Sequence, residues 1–555
     1  MAHPRVRVNS NKVSVMRKYW IPALLIIVAP SIGAAQTTTP LKLSVDDAVR
    51  MALQSNLELA TARIDPQISD ARVAGAASIF KPTFGTDVSR NNQLQPPSSF
   101  LVPTATRNDV ITSNVGLNQR LPWFGSSYSL SWNTTHTSSN SFLNSYDPLV
   151  RSGLSLSFSQ PLLRDFKTDG ARVNLELSRT NRAIADTRLQ EAVVQTTAAV
   201  KTAYWNLVAA RANVDARQAA LALARELVRV NKAKVDVGQS APIDLVSAQA
   251  EVASNQEQLI VAETGVKQAE DRLRLLIFDA SQPAAWNQQL EPADAPPLAV
   301  ATINMDDAVA NALRNRADLA RARRDTENAQ TSLRLAGNQK LPDIRLNASY
   351  QASGLGGTEV LRTGGFPGTI VGAGNVTTFG SVLDQLVRSN YPTWAVGFSV
   401  SYPLGESSEE AIHARSVLEA QQAEHRVKTA EARAIQQVRD AGWQVEMNGR
   451  RVETARSSRE LAEQRRDAEQ KRFEVGMSTS FLVIQAQRDL AQARQNELSA
   501  VLAYALSLVS FEALQQAGPQ GASTTATQTQ TAVATAATPA AATAIRGAAA
   551  STSIF

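Results

Sequence analysis

The chain contains no cysteine. That suits an exported protein that does not rely on disulfides, and it rules out a lipoprotein, whose lipid anchor needs a cysteine at the mature N-terminus. Aromatic residues are scarce, at 5% of 555 positions. Ala, Gln, Arg and Glu instead dominate long stretches, which favours extended helical packing over a thick core. Neither sign of charge prevails: the net charge of +6 is small for this length. Acidic and basic residues interleave as on solvated helix faces, not as in a nucleic-acid patch. The four histidines (His3, His136, His413 and His425) show no metal-ligand spacing. No G-x-S-x-G, H-E-x-x-H or Walker motif occurs, so no catalytic, cofactor or metal site is expected. No apolar run of about 20 residues follows the N-terminal region, which argues against an inner-membrane transporter.

The N-terminus reads as a secretory signal over residues 1–35. Met16-Arg17-Lys18 gives a basic start, Ile21 to Ala29 an apolar core, and Ser31 to Ala35 small residues for cleavage before Gln36. Residues 1–15 add nothing a signal needs, which makes Met16 an alternative start. A membrane-anchoring helix is the competing reading, but the apolar run is well short of the roughly 20 residues that span a bilayer.

Beyond that point the chain repeats itself. "VDVGQSAPIDLVSAQ" (Val235 to Gln249) recurs as "FEVGMSTSFLVIQAQ" (Phe473 to Gln487), with Gly238 and Gly476 at equivalent places. "SVDDAVRMAL" from Ser44 recurs as "NMDDAVANAL" from Asn304. Pro82 and Pro342, Pro161 and Pro403, and Trp205 and Trp443 keep the same order. Such order signals a duplication with unequal loops. The expected organisation is a first repeat over 36–280, a Pro/Ala-rich linker over 281–302, a second repeat over 303–516 and a disordered Ala/Thr/Gln tail over 517–555.

Each repeat opens on an N-cap, Ser44 or Asn304, with Asp47 or Asp307 three places later; these aspartates read as helix caps, not catalytic carboxylates. Helices of about Ser44–Phe80 and Ile243–Phe278 are expected in the first repeat. Period-two sequence follows each opening helix. Ile344, Leu346, Ala348 and Tyr350 alternate with polar residues, as do Trp394, Val396, Phe398, Val400 and Tyr402; Leu154, Leu156 and Phe158 repeat the pattern, and Phe84, Thr86 and Val88 do so more weakly. Strands apolar on one side and Ser/Thr/Asn on the other suit a transmembrane β-barrel, and equally a soluble barrel or sandwich. Trp123, Tyr128, Trp132, Tyr391, Trp394 and Tyr402 cluster in and beside these strands, as a membrane aromatic girdle would. Two strands per repeat give four per chain, too few to close a barrel, so copies must share one. Val110–Gln119 and Tyr128–Thr137 form an additional hairpin that either projects from the barrel or joins its wall. Gly354–Gly380, glycine-rich but without a phosphate-binding Lys, reads as a surface loop.

Long helices come next. No proline or glycine interrupts Ala171 to Asp236, and Val193, Val200, Leu207, Val214, Leu221, Val228 and Val235 recur every seven residues, a coiled-coil seam. Glu406 to Glu474 is the matching stretch. Two half-length helices beside one full-length helix, twice per chain, would build a tube wall.

Duplicated strand–helix–turn–helix units, a signal sequence and paired "VG" turns resemble the TolC-type outer-membrane efflux family. The resemblance covers about Leu41 to Gln516. It implies a mainly α fold with a β-barrel: a homotrimer sharing a barrel of about twelve strands, four per chain, that continues into a coiled-coil α-helical tunnel. It implies an outer-membrane location with the helices in the periplasm, contact with outer-membrane lipid, and no cofactor or nucleic acid. The partners implied are a periplasmic adapter and an inner-membrane pump of RND, ABC or MFS type, in a tripartite efflux pump or a type I secretion system. By match, Val237-Gly238-Gln239-Ser240 and Val475-Gly476-Met477-Ser478 are the tip that meets the adapter, although a plain helix C-cap also explains the glycines. Asp244 fits an acidic pore position, whereas Leu482 and Gln485 depart from the usual carboxylates and imply a less cation-selective constriction. The rival reading is a cell-surface coiled-coil protein of structural or adhesive kind.

Overall fold

The computed structural model describes residues 41–97, 105–141, 144–279, 286–297, 302–365, 368–405 and 407–519. The expected signal peptide, part of the linker and the tail from residue 520 lie outside these.

Two helices dominate, α3 (Gly170–Asp236) and α8 (Ser408–Glu474), each of 67 residues and so roughly 100 Å long at 1.5 Å per residue. Each is flanked along its length by shorter helices: α1 (Val45–Ser55), α2 (Leu57–Ser78) and α4 (Pro242–Ile277) for the first, α5 (Met305–Asn315), α6 (Ala317–Gln339) and α9 (Ser480–Leu514) for the second. A ladder of side-chain bonds fixes the antiparallel register of α3 and α4. Arg211 meets Glu270 at 3.2 Å, Arg217 meets Gln258 at 2.5 Å, Arg225 meets Gln256 at 3.1 Å, and Asn231 donates to the Asp244 carbonyl at 3.2 Å. The seven-residue seam is buried in part: Val200, Leu207 and Leu221 are buried, as are the small residues Ala203 and Ala224 that let helices approach closely, whereas Val193, Val214, Val228 and Val235 are half-buried.

The expected continuous helix from Ser44 to Phe80 is two helices, because Asn56 takes an extended conformation between them. Its side chain accepts from Leu59 N at 2.9 Å, and its Nδ2 donates to the Leu276 carbonyl at 3.2 Å, at the end of α4. Asn56 thus caps the new helix where α4 stops, which sets α2 and α4 end to end beside α3. Arg316 makes the equivalent break; almost fully buried, it holds Asp318 at 2.8 Å and Gln437 at 2.9 Å. The opening caps form as expected, with Ser44 accepting from Asp47 N and Asn304 from Asp306 and Asp307 N.

Part of the proposed linker is built into the fold. β6 (Leu290–Pro292) pairs in parallel with β1 (Leu41–Leu43). Leu290 and Leu43 are buried with Val200, Tyr204, Leu207, Leu273 and Ile277, a core halfway along α3. Among the described residues one helix, α9, is apolar enough to cross a membrane by length and composition. This corrects the expectation that no such stretch exists. Its apolar residues Val501 and Tyr504 are buried against Val445 and Val452 of α8, so packing accounts for them.

The remaining strands form one curled antiparallel sheet: β2 (Thr83–Gln95), β3 (Thr106–Arg120), β4 (Ser127–Ser139), β5 (Tyr146–Pro161) and β7 (Asp343–Thr363), in that order. The far edge of β7 carries β9 (Pro392–Ser401) along its first half and β8 (Thr369–Thr377) along its second. The four strands expected per chain are present as β2, β5, β7 and β9, and β3, β4 and β8 add to them. The stretch read as a glycine-rich surface loop instead holds the end of β7, β8 and the start of helix α7 (Phe379–Val387), with residues 366 and 367 outside the described ones. Glycine serves packing there: a Cβ on Gly354 or Gly356 would lie 2.6 or 2.5 Å from atoms of Val382 on α7.

Candidate functional site

At the end of the molecule farthest from the sheet, α3 and α8 both stop on a glycine with positive φ, +73° at Gly238 and +77° at Gly476. The bonding is the same in each. Gln239 N donates to the Lys234 carbonyl at 2.7 Å and Gly238 N to that of Val235 at 2.9 Å; Met477 N and Gly476 N do so to Arg472 and Phe473, at 2.8 and 3.2 Å. These are two complete Schellman closures, which need a residue free to adopt the left-handed region. The next helices start differently. Pro242 supplies a first-turn residue without an N–H, and Ser240 donates to Asp244 at 2.6 Å. In the other turn Thr479 caps Leu482 N and Ser478 bonds Glu469.

The fold brings the two turns together. Lys234 Nζ donates to the Phe473 carbonyl at 2.9 Å and lies 3.6 Å from the centre of its ring. Asn231, fully buried, donates to Ser480 Oγ at 2.8 Å. Leu227, Ala248, Phe473, Val483 and Ile484 close a small core behind them. Outside it, Val237, Val475 and Met477 are exposed, and so are Ile243 and Phe481. The sequence reading passed over these last two, yet they share the repeat spacing of the glycines and extend the apolar surface around each turn.

Asp244 sits in the first turn of α4, where the helix dipole favours a carboxylate. Leu482 and Gln485 are exposed on α9, and Gln485 donates to Asp489 at 2.9 Å. Asp489 also lies 3.3 Å from Arg465 of α8. It is one turn beyond Gln485 on the same side of the helix, so the carboxylate that Gln485 bonds is itself paired with an arginine. The sequence reading stopped at Gln485 and missed it.

The sheet has two unlike faces. Following cross-strand partners, Phe84, Leu117, Leu130, Leu156, Tyr350 and Trp394 form one row, a single apolar residue from each strand. The adjacent row, on the opposite face, is Gly85, Gly116, Ser131, Ser155, Gln351 and Thr393. Alternation of this kind, held across a whole sheet, puts one face in an apolar surrounding and the other in water. Tyr128, Trp132 and Trp394 lie on the apolar face. Trp132 Nε1 donates to Ser152 Oγ at 2.8 Å and the Tyr128 hydroxyl to Gln119 at 2.6 Å, so their polar atoms are satisfied within the sheet. Trp123 is exposed in the β3–β4 turn and Tyr402 just past β9, both at the helix end of the sheet; Tyr391 is exposed at the other end of β9. The six aromatics therefore do not fall in one row. Among the described residues no cluster of His, Cys, Asp and Glu could hold a metal ion.

The sequence matches the profile of outer membrane efflux proteins over residues 113–277 and 308–517, more than half of the chain. The chain belongs to the outer membrane efflux protein family. No curated protein sequence matches it. Solved structures of outer-membrane proteins do, at low identity. The chain is similar to CusC, with 14% identity and a TM-score of 0.62, over 87% of this chain and 94% of CusC. It is similar to VceC of Vibrio cholerae, with 18% identity and a TM-score of 0.59, over 85% and 96%. It also resembles the CmeC channel of Campylobacter jejuni, with 16% identity and a TM-score of 0.58, over 85% of each chain. Identities this low establish the fold, a helical body continuous with a strand wall, and family membership makes this efflux protein a channel rather than an enzyme by class.

Proposed function

We propose that three copies of this chain close their open sheets into one outer-membrane barrel, and that their helices form a periplasmic duct beneath it. The observation that carries this is the join between the two parts. A sheet apolar on one face, with unpaired edges at β2 and β9 exposed along their whole length, runs directly into helices of roughly 100 Å. An isolated open sheet would be an aggregation hazard; pairing β2 of one copy with β9 of the next removes both edges. Transport through such a duct is passive, and its energy comes from an inner-membrane pump of RND, ABC or MFS type acting through an adapter. The assembly is thus a tripartite efflux pump or a type I secretion system.

The paired closures at Val237–Ser240 and Val475–Ser478 form the adapter-contact tip, with Ile243 and Phe481 widening its apolar surface. Asp244, Leu482 and Gln485 line the constriction just inside it. Trp123, Tyr128, Trp132, Tyr391, Trp394 and Tyr402 belong to the membrane boundary. Membrane fractionation followed by sizing in detergent tests the reading: the protein should be found in the outer membrane as a trimer that conducts ions in a planar bilayer. A monomer in the soluble periplasmic fraction sinks it.

A further inference from the structure

The geometry points to a barrel wall of six strands per chain, eighteen in a trimer, with the β3–β4 hairpin as two full-height, lipid-facing staves rather than a projection. This rests on the trimeric-duct reading above and adds to it a mouth wider than four strands per chain would give.

Three observations carry it. First, β2 does not pair with β5 at all; the hairpin stands between them and is bonded along its length on both sides, from Thr83↔Asn118 to Gln95↔Thr106 and from Ser127↔Ser159 to Thr137↔Leu149. Second, the hairpin shares the wall's two-faced chemistry. Val115, Leu117, Leu130 and Trp132 continue the apolar band, while Gly116, Ser129, Ser131 and Asn133 continue the polar face. A hairpin projecting into water would have no reason to hold that register. Third, its turn is pinned to the strand–helix junction. Phe124 stacks on Phe166 with ring centres 5.0 Å apart, Gln160 Nε2 donates to the Phe124 carbonyl at 2.9 Å, and a Cβ on Gly125 would meet the Asp165 carbonyl at 2.4 Å. The hairpin therefore starts at the same rim as its neighbours.

Closure is also consistent. β2 leaves the helices and β9 returns to them, so an even number of strands per chain lets β9 of one copy meet β2 of the next antiparallel. β8 stands above β9 on the same edge of β7 and adds no seventh stave. α7 packs against Gly354 and Gly356 on the apolar face, which leaves the polar face unobstructed. Barrel diameter grows roughly linearly with strand number, so the mouth would be about one and a half times as wide as a twelve-stranded one. Selection by size then falls to the helical end of the duct. The outer opening would pass bulky solutes or unfolded polypeptide that clear the tip.

The absence of cysteine makes single-cysteine labelling of the full-length protein in outer membranes a clean test. Leu117→Cys and Leu130→Cys should resist a charged, membrane-impermeant maleimide and react with a lipid-soluble one, whereas Gly116→Cys and Ser131→Cys should show the reverse. Tyr350→Cys and Ser349→Cys on β7 are controls for the wall itself. If the controls alternate and all four hairpin positions react with the charged reagent, the hairpin projects and the six-strand wall is wrong. If the controls also fail to alternate, the membrane-wall reading falls with it. Electron microscopy of detergent-solubilised trimers then counts the strands directly: eighteen upholds the proposal and twelve overturns it.

Discussion

Tyr204 stands midway along α3 with its side chain fully buried. Its hydroxyl donates to the Leu43 carbonyl at 2.9 Å and accepts from Asp294 N at 3.1 Å, which ties β1 and the inter-repeat segment just past β6 to the long helix. Burial pushes the Tyr204 hydroxyl above the ordinary tyrosine range, because the phenolate would lose its water. A folded pKa raised above the unfolded value gives stability that is fully present below about pH 10 and lost as pH rises through the folded pKa. Tyr204→Phe should therefore cost about 1–3 kcal/mol at neutral pH by leaving buried polar groups unpaired. It should also flatten the alkaline fall in stability that the wild type shows. Thermal melts from neutral to alkaline pH check both. Ser44 and Asn304 were legible as caps because capping is local: the side chain and the amides it serves lie within one turn. Asn56 and Arg316 combine a local bond, to Leu59 N or Asp318, with one to another helix, Leu276 or Gln437, and that second partner is not written in the local sequence.

At the scale of elements, the paired turns are where sequence and structure agree most closely. The repeated glycine predicted a left-handed closure, and both closures have the same two bonds. Alanine at Gly238 or Gly476 would meet no neighbouring atom, so the penalty is conformational alone, about 1–2 kcal/mol per site. Gly238→Ala and Gly476→Ala proteins should melt slightly lower and still assemble as wild type. Combining the two should weaken adapter capture in a pull-down more than either does singly; an unchanged pull-down would confine the glycines to capping. The strands were legible by their alternation. Gly354–Gly380 reads as a loop from its glycine content, but Gly354 and Gly356 are strand residues on which α7 packs, a contact that local sequence does not show. The hairpin's place was undetermined for a related reason: alternation shows that a segment is a strand but not which strand it pairs with.

For the whole molecule, the trimer proposed above would place the turns in a ring at the end of the duct, where fixed charge would govern conduction. In that proposed ring Leu482 and Gln485 would supply no charge, and Asp489, bonded to Gln485, is paired with Arg465 at 3.3 Å. Leu482→Asp and Gln485→Asp together should shift the reversal potential toward stronger cation selectivity in a planar bilayer, since fixed charge at a constriction governs which ions enter. Strong cation selectivity in the wild type that survives Asp244→Asn would contradict the neutral-constriction reading. By itself the sequence determined the duplication, the long helices, the two-faced strands and the paired closures, because periodicity and capping are encoded within a few residues of one another. Only the tertiary structure decided that the hairpin lies between β2 and β5, that the inter-repeat segment threads the core as β6, and that the turns of the two repeats meet through Lys234, Phe473 and Asn231. Those arrangements depend on which surfaces find each other across hundreds of residues, and local pattern carries no record of the partner.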